Sequence, residues 1–273
     1  MRYLKTYFSA PYEMKFLRLN YLESKPHVDK MIICEFNRTH TGAPHDLVWE
    51  KLKREYFSDE ELKDIIYIGA DISKETRYSM TDGNIVHGNE QLMRGYFASQ
   101  MDFASKDIII AVDADEVIYG PSYEEVASKL SFFSRGFTLN LNLFIYKLNY
   151  LWKDEPFYAP VICRADLRQE RYPAAWRYRG REYPGRHGCH FTWCMSIPEM
   201  VDKLKRYSHA QDHPGLADPI ILQNAVEQKI YPFEPGRRFQ IEVVDMESRR
   251  EMFPSALFRM KDHFAGLIDA NLG

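Results

Sequence analysis

Three carboxylates, Asp113, Asp115 and Glu116, come directly after five apolar residues, Ile108 to Val112, in the stretch Asp107-Ile-Ile-Ile-Ala-Val-Asp-Ala-Asp-Glu-Val-Ile118. An unbroken apolar run of that kind reads as a strand buried on both faces, and the acids that follow it read as a site at its end. In open α/β sheets ligands collect outside the carboxyl ends of strands. These side chains are therefore placed to hold a divalent cation and, through it, a phosphorylated ligand. In extended backbone, Asp113 and Asp115 would turn to the same side, where a cation would relieve their repulsion. A solvated acidic turn after a core strand would carry the same residues.

The chain ahead of this strand supplies the frame that would aim it. Met31-Ile-Ile-Cys34, Ile65-Ile-Tyr-Ile68 and Ile108 to Val112 are β-rich runs roughly 35 to 45 residues apart, the spacing of successive βαβ units and hence of a parallel sheet. Val48, Leu52 and Tyr56 share a helical face between the first two runs. Leu92, Tyr96 and Ser99 do so between the next two, with Met93, Phe97 and Met101 alongside. Met14, Leu17 and Tyr21 mark an earlier amphipathic helix, stopped at Lys25-Pro26.

Past the acids the pattern changes. Phe137 to Ile145 alternates strictly, with Phe137, Leu139, Leu141, Leu143 and Ile145 on one face, as in a half-exposed antiparallel strand. Residues 164–187 are rich in Arg, Tyr and Pro without periodicity and read as a long loop, a candidate lid over an acceptor. Gly188 to Met195 reads as a strand with His190, Thr192 and Cys194 on one face and Cys189, Phe191 and Trp193 on the other. That parity argues against a Cys189–Cys194 disulfide. Ile197, Met200, Val201 and Leu204 form a helical stripe, and Asp218-Pro219 opens a further helix as N-cap and first-turn proline.

Composition limits what such a site serves. With 273 residues, 45% of them hydrophobic, the chain can bury a substantial core. Thirty-six basic and thirty-nine acidic residues leave a net charge of −3 with no long basic block, which disfavours nucleic acid and anionic membranes as partners. Neither a secretory leader nor a stretch approaching the ~20 apolar residues of a membrane span is visible, so a soluble, cytoplasmic protein is expected. The four cysteines, Cys34, Cys163, Cys189 and Cys194, have neither zinc-ribbon spacing nor the density of a secreted scaffold, and read as reduced.

A strand ending in Asp-x-Asp suits two enzyme chemistries. In a nucleotide-sugar transferase the carboxylates position Mn²⁺ or Mg²⁺ against a diphosphate leaving group. A haloacid-dehalogenase-like phosphatase also ends a strand in Asp-x-Asp-x-Thr/Val, which Asp113 to Val117 fits formally. That phosphatase would place its nucleophile on the first strand of the core and need a later Gly-Asp-x-x-x-Asp pair. Here strands precede the motif and no such pair follows.

The longer pattern separates the two. Val28 to Gly42 (Val-Asp-Lys-Met-Ile-Ile-Cys-Glu-Phe-Asn-Arg-Thr-His-Thr-Gly), the acidic motif, and Gly188-Cys-His-Phe-Thr-Trp-Cys194 followed by Lys203-Leu-Lys-Arg-Tyr-Ser-His209 resemble, in that order, glycosyltransferase family 17, which contains the bisecting N-acetylglucosaminyltransferase. Lys15 to Leu22 is similar to the family's N-terminal Leu-x-x-Arg-Leu helix, and Phe253-Pro254 to Leu267 to its C-terminal segment. The likeness therefore covers nearly the whole chain. It departs at Cys189 and Phe191, where the family has tryptophan and cysteine.

The resemblance implies one GT-A-like α/β domain with a Rossmann-like, mostly parallel nucleotide-sugar-binding half over residues 1–118 and an antiparallel acceptor-side half over 119–273. It also implies a nucleotide-sugar donor, most simply UDP-linked GlcNAc, a glycan acceptor, Mn²⁺ or Mg²⁺, and inversion at the anomeric carbon. On this resemblance Glu35 and Asn37 would hold the nucleoside, although an Asn or Glu after a strand can equally cap a turn, with Thr39, Thr41 and Gly42 closing a loop over it. Glu90 and Arg94 match a Glu-x-x-x-Arg of the family, though an ordinary i,i+4 helix pair would look the same. Asp113 and Asp115 would hold the metal with His190 as a third ligand, Asp113 would also touch the donor, and His209 would contact the diphosphate. An inverting transfer needs a base for the acceptor hydroxyl, and Asp154, Glu155 and Asp212 are candidates. Tyr150 and Trp152 are candidate walls for the acceptor sugar, with core packing as the alternative.

Overall fold

The computed structural model describes all residues except 132, 154, 167–180, 208, 210–211, 214, 235–236, 238 and 271–273. The first half runs β1 (Arg2–Tyr7), α1 (Met14–Ser24), β2 (Lys30–Phe36), α2 (Trp49–Tyr56), α3 (Asp59–Leu62), β3 (Ile65–Ala70), α4 (Gly83–Gly95), α5 (Phe97–Gln100) and β4 (Ile108–Ala111). All four strands are parallel, in the order β3-β2-β1-β4. The apolar runs do not alternate because both faces are covered. Leu4, Ile33 and Ile110 pack with Met14, Leu17 and Trp49 on one side, while Ile32 and Ile109 pack with Met93 and Phe97 on the other.

The strand at the centre of this half, β1, is the one that the apolar runs do not announce. Its sequence, Arg-Tyr-Leu-Lys-Thr-Tyr, is interrupted by Lys5 and Thr6, yet both are buried. Lys5 stays inside with its ammonium over the rings of Tyr7 and Phe97, at 5.3 and 5.4 Å from their centroids. Residue 4 pairs with Met31 on one side and Ile110 on the other, so β1 sets the register of the acid-bearing strand.

The second half contains β5 (Glu116–Ile118), α6 (Gly120–Ala127), β6 (Gly136–Ile145), β7 (Tyr150–Trp152), β8 (Phe157–Arg164), β9 (Arg181–Glu182), β10 (Gly188–Thr192), α7 (Ile197–Arg206), α8 (Pro219–Gln228), β11 (Ile241–Val243) and α9 (Ser255–Arg259). β8 joins the two halves by running antiparallel to both β4 and β6, so that one sheet continues as β4-β8-β6-β7-β11. A parallel nucleotide-type half extended by antiparallel strands is the GT-A-like layout expected.

Two expectations are corrected here. β6 is not half-exposed, because it pairs with β8 and β7 and also lies parallel to β10 and β9. Its polar face is satisfied internally: Asn142 Nδ2 donates to the Tyr119 hydroxyl at 2.8 Å, and Asn140 Oδ1 accepts from the Phe157 N–H at 3.2 Å. β10 stops at Thr192, and Trp193 takes φ 55°, which breaks the alternation. Cys194 therefore buries with Cys189 and Phe191, while Trp193 packs in a different apolar cluster. All four cysteines are free and buried. Most of the expected acceptor lid, residues 167–180, lies outside the described residues; Arg181 and Glu182 pair with β6. No helix among the described residues is long and apolar enough to cross a membrane.

Candidate active site

The acidic loop bridges the two halves of the sheet, leaving β4 at Ala111 and entering β5 at Glu116. Neighbours on several sides hold it. Asn20 of α1 donates Nδ2 to the Ala114 carbonyl at 2.8 Å, the Phe191 N–H of β10 donates to the Asp115 carbonyl at 2.9 Å, and the Asp113 N–H donates to Glu116 Oε2 at 2.8 Å. Gly188, opposite Ile118, lets β10 press onto β5, since a Cβ there would collide with the Val117 carbonyl.

The backbone turns at Ala114 and Asp115, so the two aspartates engage different walls. Asp113 meets Arg94 of α4, whose Nη2 donates to Oδ2 at 2.9 Å while Nη1 reaches Oδ1. Arg94 also donates Nη2 to Glu90 Oε1 at 2.9 Å and to the Tyr7 hydroxyl at 3.2 Å. Asp115 faces β10 and α7, with Lys203 Nζ 3.2 Å from Oδ2 and His190 Nε2 3.6 Å from Oδ1. Burial alone would raise the Asp115 carboxyl, but the Lys203 ammonium and the His190 imidazole outweigh it and hold it well below the usual carboxylate range. Burial likewise opposes ionisation of Glu90, and Arg94 overcomes it, holding that carboxyl at about 2.

These side chains open into a cavity of about 480 Å³. Tyr7 lines it from the end of β1, Ser9, Tyr12 and Glu13 from the segment that follows, His87, Glu90, Gln91 and Arg94 from α4, and Asp113 to Asp115 from the floor. His190, Thr192 and Trp193 enter from β10 and its end, Phe157 from β8, and Lys203, Arg206, Tyr207 and His209 from α7 and just beyond.

Of the residues singled out in the sequence, Glu90, Arg94, Asp113, Asp115, His190 and His209 meet here. Others do not line the cavity. Glu35 is fully buried, and its carboxylate accepts from the N–H groups of Val48 and Trp49 at 2.6 and 3.2 Å and from the Tyr67 hydroxyl at 2.7 Å. It anchors the start of α2. Asn37 accepts from the Ile72 N–H at 3.0 Å and borders an adjoining groove with Arg38, His45 and Arg206. Thr39 and Thr41 hydrogen-bond each other at 2.9 Å inside their loop, and Gly42, at φ 81°, packs where a Cβ would meet the Arg77 carbonyl.

Two of the three base candidates fall elsewhere. Glu155 is ion-paired with Arg237, and Asp212 Oδ2 accepts from His209 Nδ1 at 2.7 Å without lining the cavity. Asp154 lies outside the described residues. Tyr150 and Trp152 are buried in an apolar cluster with Tyr146 and Phe233, which is the core-packing alternative.

The structure adds residues that sequence reading passed over. Lys203 is within the motif quoted above but reads as one more basic residue on a helix; its packing beside Asp115 is tertiary information. His40 lies inside Thr39-His-Thr41, yet nothing in the letters shows that both of its ring nitrogens are buried without a protein partner among the described residues. Burial, reinforced by Arg94 against Glu90, lowers its imidazole to about 4, so it is neutral near pH 7. Glu13 reads as an acid beside the first turn of α1. Here burial pushes its carboxyl up to about 7 against the pull of Lys203, with Asp115 and Asp113 adding to the rise.

The donor set fits a divalent cation in kind: two carboxylates and an imidazole whose Nδ1 is buried without a protein partner among the described residues. Its arrangement is that of ion pairs, and among the described residues no three His, Cys, Asp or Glu side chains are grouped to hold a metal ion. Asp113 is held by Arg94 and Asp115 by Lys203, so a metal would have to take over the second of these pairings.

The profile of glycosyltransferase family 17 matches residues 6–228, a span that includes every described residue lining the cavity. The protein belongs to glycosyltransferase family 17. As a family 17 glycosyltransferase it is an enzyme of sugar transfer, and the phosphatase reading of Asp113 and Asp115 falls away. No curated protein matches the chain. Solved structures superpose on this glycosyltransferase only loosely. Mouse xyloside xylosyltransferase 1 in its apo form is 11% identical, with a TM-score of 0.37 over 90% of this chain and 86% of its own. HddC from Yersinia pseudotuberculosis is 12% identical, with a TM-score of 0.35 over 84% and 100%. The 4-diphosphocytidyl-2C-methyl-D-erythritol synthase of Anaerococcus prevotii DSM 20548 is 8% identical, with a TM-score of 0.36 over 61% and 71%.

Proposed function

We propose that this glycosyltransferase moves a sugar, most simply N-acetylglucosamine from UDP-GlcNAc, to a glycan hydroxyl, with inversion and with Mn²⁺ or Mg²⁺. The observation that carries the reading is the meeting of Asp113, Asp115 and His190 with Lys203, Arg206 and His209 in one cavity next to the end of β4. Acids alone would repel a diphosphate, and bases alone would not hold a metal. The mixture suits both together.

Asp115, His190 and Asp113 are the residues that would hold the cation, which when bound supplies charge neutralisation on the leaving diphosphate. Lys203 and Arg206 supply cationic donors for the same oxygens. Arg94 orients Asp113 and fixes it against α4. Neutral His40 offers one donor and one acceptor, the chemistry of a nucleoside or sugar hydroxyl rather than of a phosphate. Trp193, Tyr207 and Phe157 give apolar ring faces on which a sugar can lie.

The test is a panel of uridine, guanosine and cytidine diphosphate sugars read by thermal shift with and without Mn²⁺, followed by nucleoside diphosphate release. A ligand that binds only the native state raises the melting temperature by mass action. Metal-enhanced stabilisation by UDP-GlcNAc together with UDP release supports the reading. Stabilisation without release from any donor would indicate a binding protein, and indifference to the whole panel would refute a nucleotide-sugar site.

A further inference from the structure

Among the described residues, the cavity is lined by four carboxylates, Glu13, Glu90, Asp113 and Asp115. Three are committed to cations: Glu90 and Asp113 to Arg94, and Asp115 to Lys203. Glu13 alone of the four makes no ion pair within 4 Å among the described residues. It is also held in place. Its Oε2 accepts from the Ser9 and Ala10 N–H groups at 2.6 and 3.2 Å, which fixes the carboxylate on the turn after β1 and leaves Oε1 without a described hydrogen bond.

We propose that Glu13 is the base of the transfer, the carboxylate that takes the proton from the attacking acceptor hydroxyl. The proposal rests on the transfer reading above. In that step the acceptor oxygen bonds to the anomeric carbon, the bond from that carbon to the diphosphate oxygen breaks with its electron pair staying on the diphosphate, and the hydroxyl proton passes to Glu13. Glu13, Asp115 and Lys203 line the same cavity, so the base and the leaving-group pocket share one space.

A base works best when it titrates near the working pH, and Glu13 is placed for this by its surroundings. Burial raises it, Lys203 of α7 and the Ser9 N–H oppose the rise, and Asp115 and Asp113 of the floor add to it. Tyr12, next to it on the turn, is itself raised, by burial first and then by Glu13, with Asp202 adding to the rise and Arg206 opposing it. Glu13 is thus charged above about pH 7 and protonated below it.

The experiment uses UDP-GlcNAc with water as the stand-in acceptor, measuring UDP release by the wild-type chain, Glu13→Gln and Glu13→Asp. Gln keeps the acceptor oxygen for Ser9 and Ala10 but cannot take a proton. Glu13→Gln should bind UDP as the wild type does yet lose about 10²- to 10⁴-fold in rate. Glu13→Asp, which keeps a titratable group, should retain part of the rate should Gln perturb the fold. The wild-type rate should fall as the pH drops through about 7, and the residual rate of Glu13→Gln should not. A wild-type chain that releases UDP while Glu13→Gln matches it would overturn the role of Glu13 alone. No UDP release by the wild type from any donor of the panel would overturn the transfer reading and this proposal with it.

Discussion

Replacing Lys203 by Met removes the cation from the Asp115 pair while keeping most of the side chain's volume. Lys203 Nζ lies 3.2 Å from Asp115 Oδ2, and the two side chains are 19% and 10% exposed. At an effective dielectric constant of about 20, charges at that distance attract by about 5 kcal/mol, which is an upper bound. Breaking a buried pair by removing one partner costs about 3–5 kcal/mol, because the other charge stays buried. The lower figure is the better expectation here, since His190 remains on the other carboxylate oxygen. About 3 kcal/mol corresponds to a fall in melting temperature of roughly 6–12 °C in a chain of this size.

The loss should also depend on pH in a definite direction. Asp115 titrates below its ordinary value of 3.8 in the folded wild type, so its pairing stabilises the fold above that value and the contribution disappears as pH falls through the folded value. The gap between Lys203→Met and wild type should therefore be full at pH 7 and close in strong acid. Denaturation in a chelator at pH 7 and below pH 4, repeated at pH 7 with Mn²⁺, reads all of this. Because a metal and Lys203 compete for Asp115, Mn²⁺ should stabilise Lys203→Met by more than it stabilises the wild type. A variant as stable as the wild type, or equal Mn²⁺ increments in both, would refute the assignment of Lys203 as the resident counter-ion of Asp115.

Three further outcomes follow from the same geometry. Asp115→Asn should abolish transfer and keep a cooperative fold, and a chelator should abolish wild-type transfer until Mn²⁺ is restored; full activity of either preparation in a nucleoside diphosphate release assay would rule out the metal role. Glu35→Ala should destabilise the chain by about 3 kcal/mol or more by leaving buried donors on Val48, Trp49 and Tyr67 unpaired, with UDP affinity unchanged in calorimetry, whereas a nucleoside role would show as lost affinity. His40→Phe should raise the donor KM by about 10- to 100-fold with kcat nearly unchanged, and an unaltered KM would mean that its buried nitrogens face no ligand.

The letters of the chain determined the apolar strand of residues 108–112, the acids that end it and the helices that cover it, because burial on two faces leaves an unbroken apolar signature. They also carried the family, through motifs whose order survives the changes at Cys189 and Phe191. β1 escaped notice because Lys5 and Thr6 interrupt its pattern, and a lysine can be buried when rings receive its ammonium, a condition met only after α5 has packed. The facing of Trp193 turned on one positive φ, which no alternation rule anticipates. Roles diverged most where a polar side chain has two uses. Glu35 and Glu13 are both glutamates close to a strand end of the parallel sheet, yet one is consumed by the start of a helix and the other is left facing the cavity. Sequence names the acids, but only the assembled fold shows which of them are spent on a cation or a helix start and which one, fixed by backbone N–H groups through a single oxygen, still lines the cavity without an ion pair among the described residues.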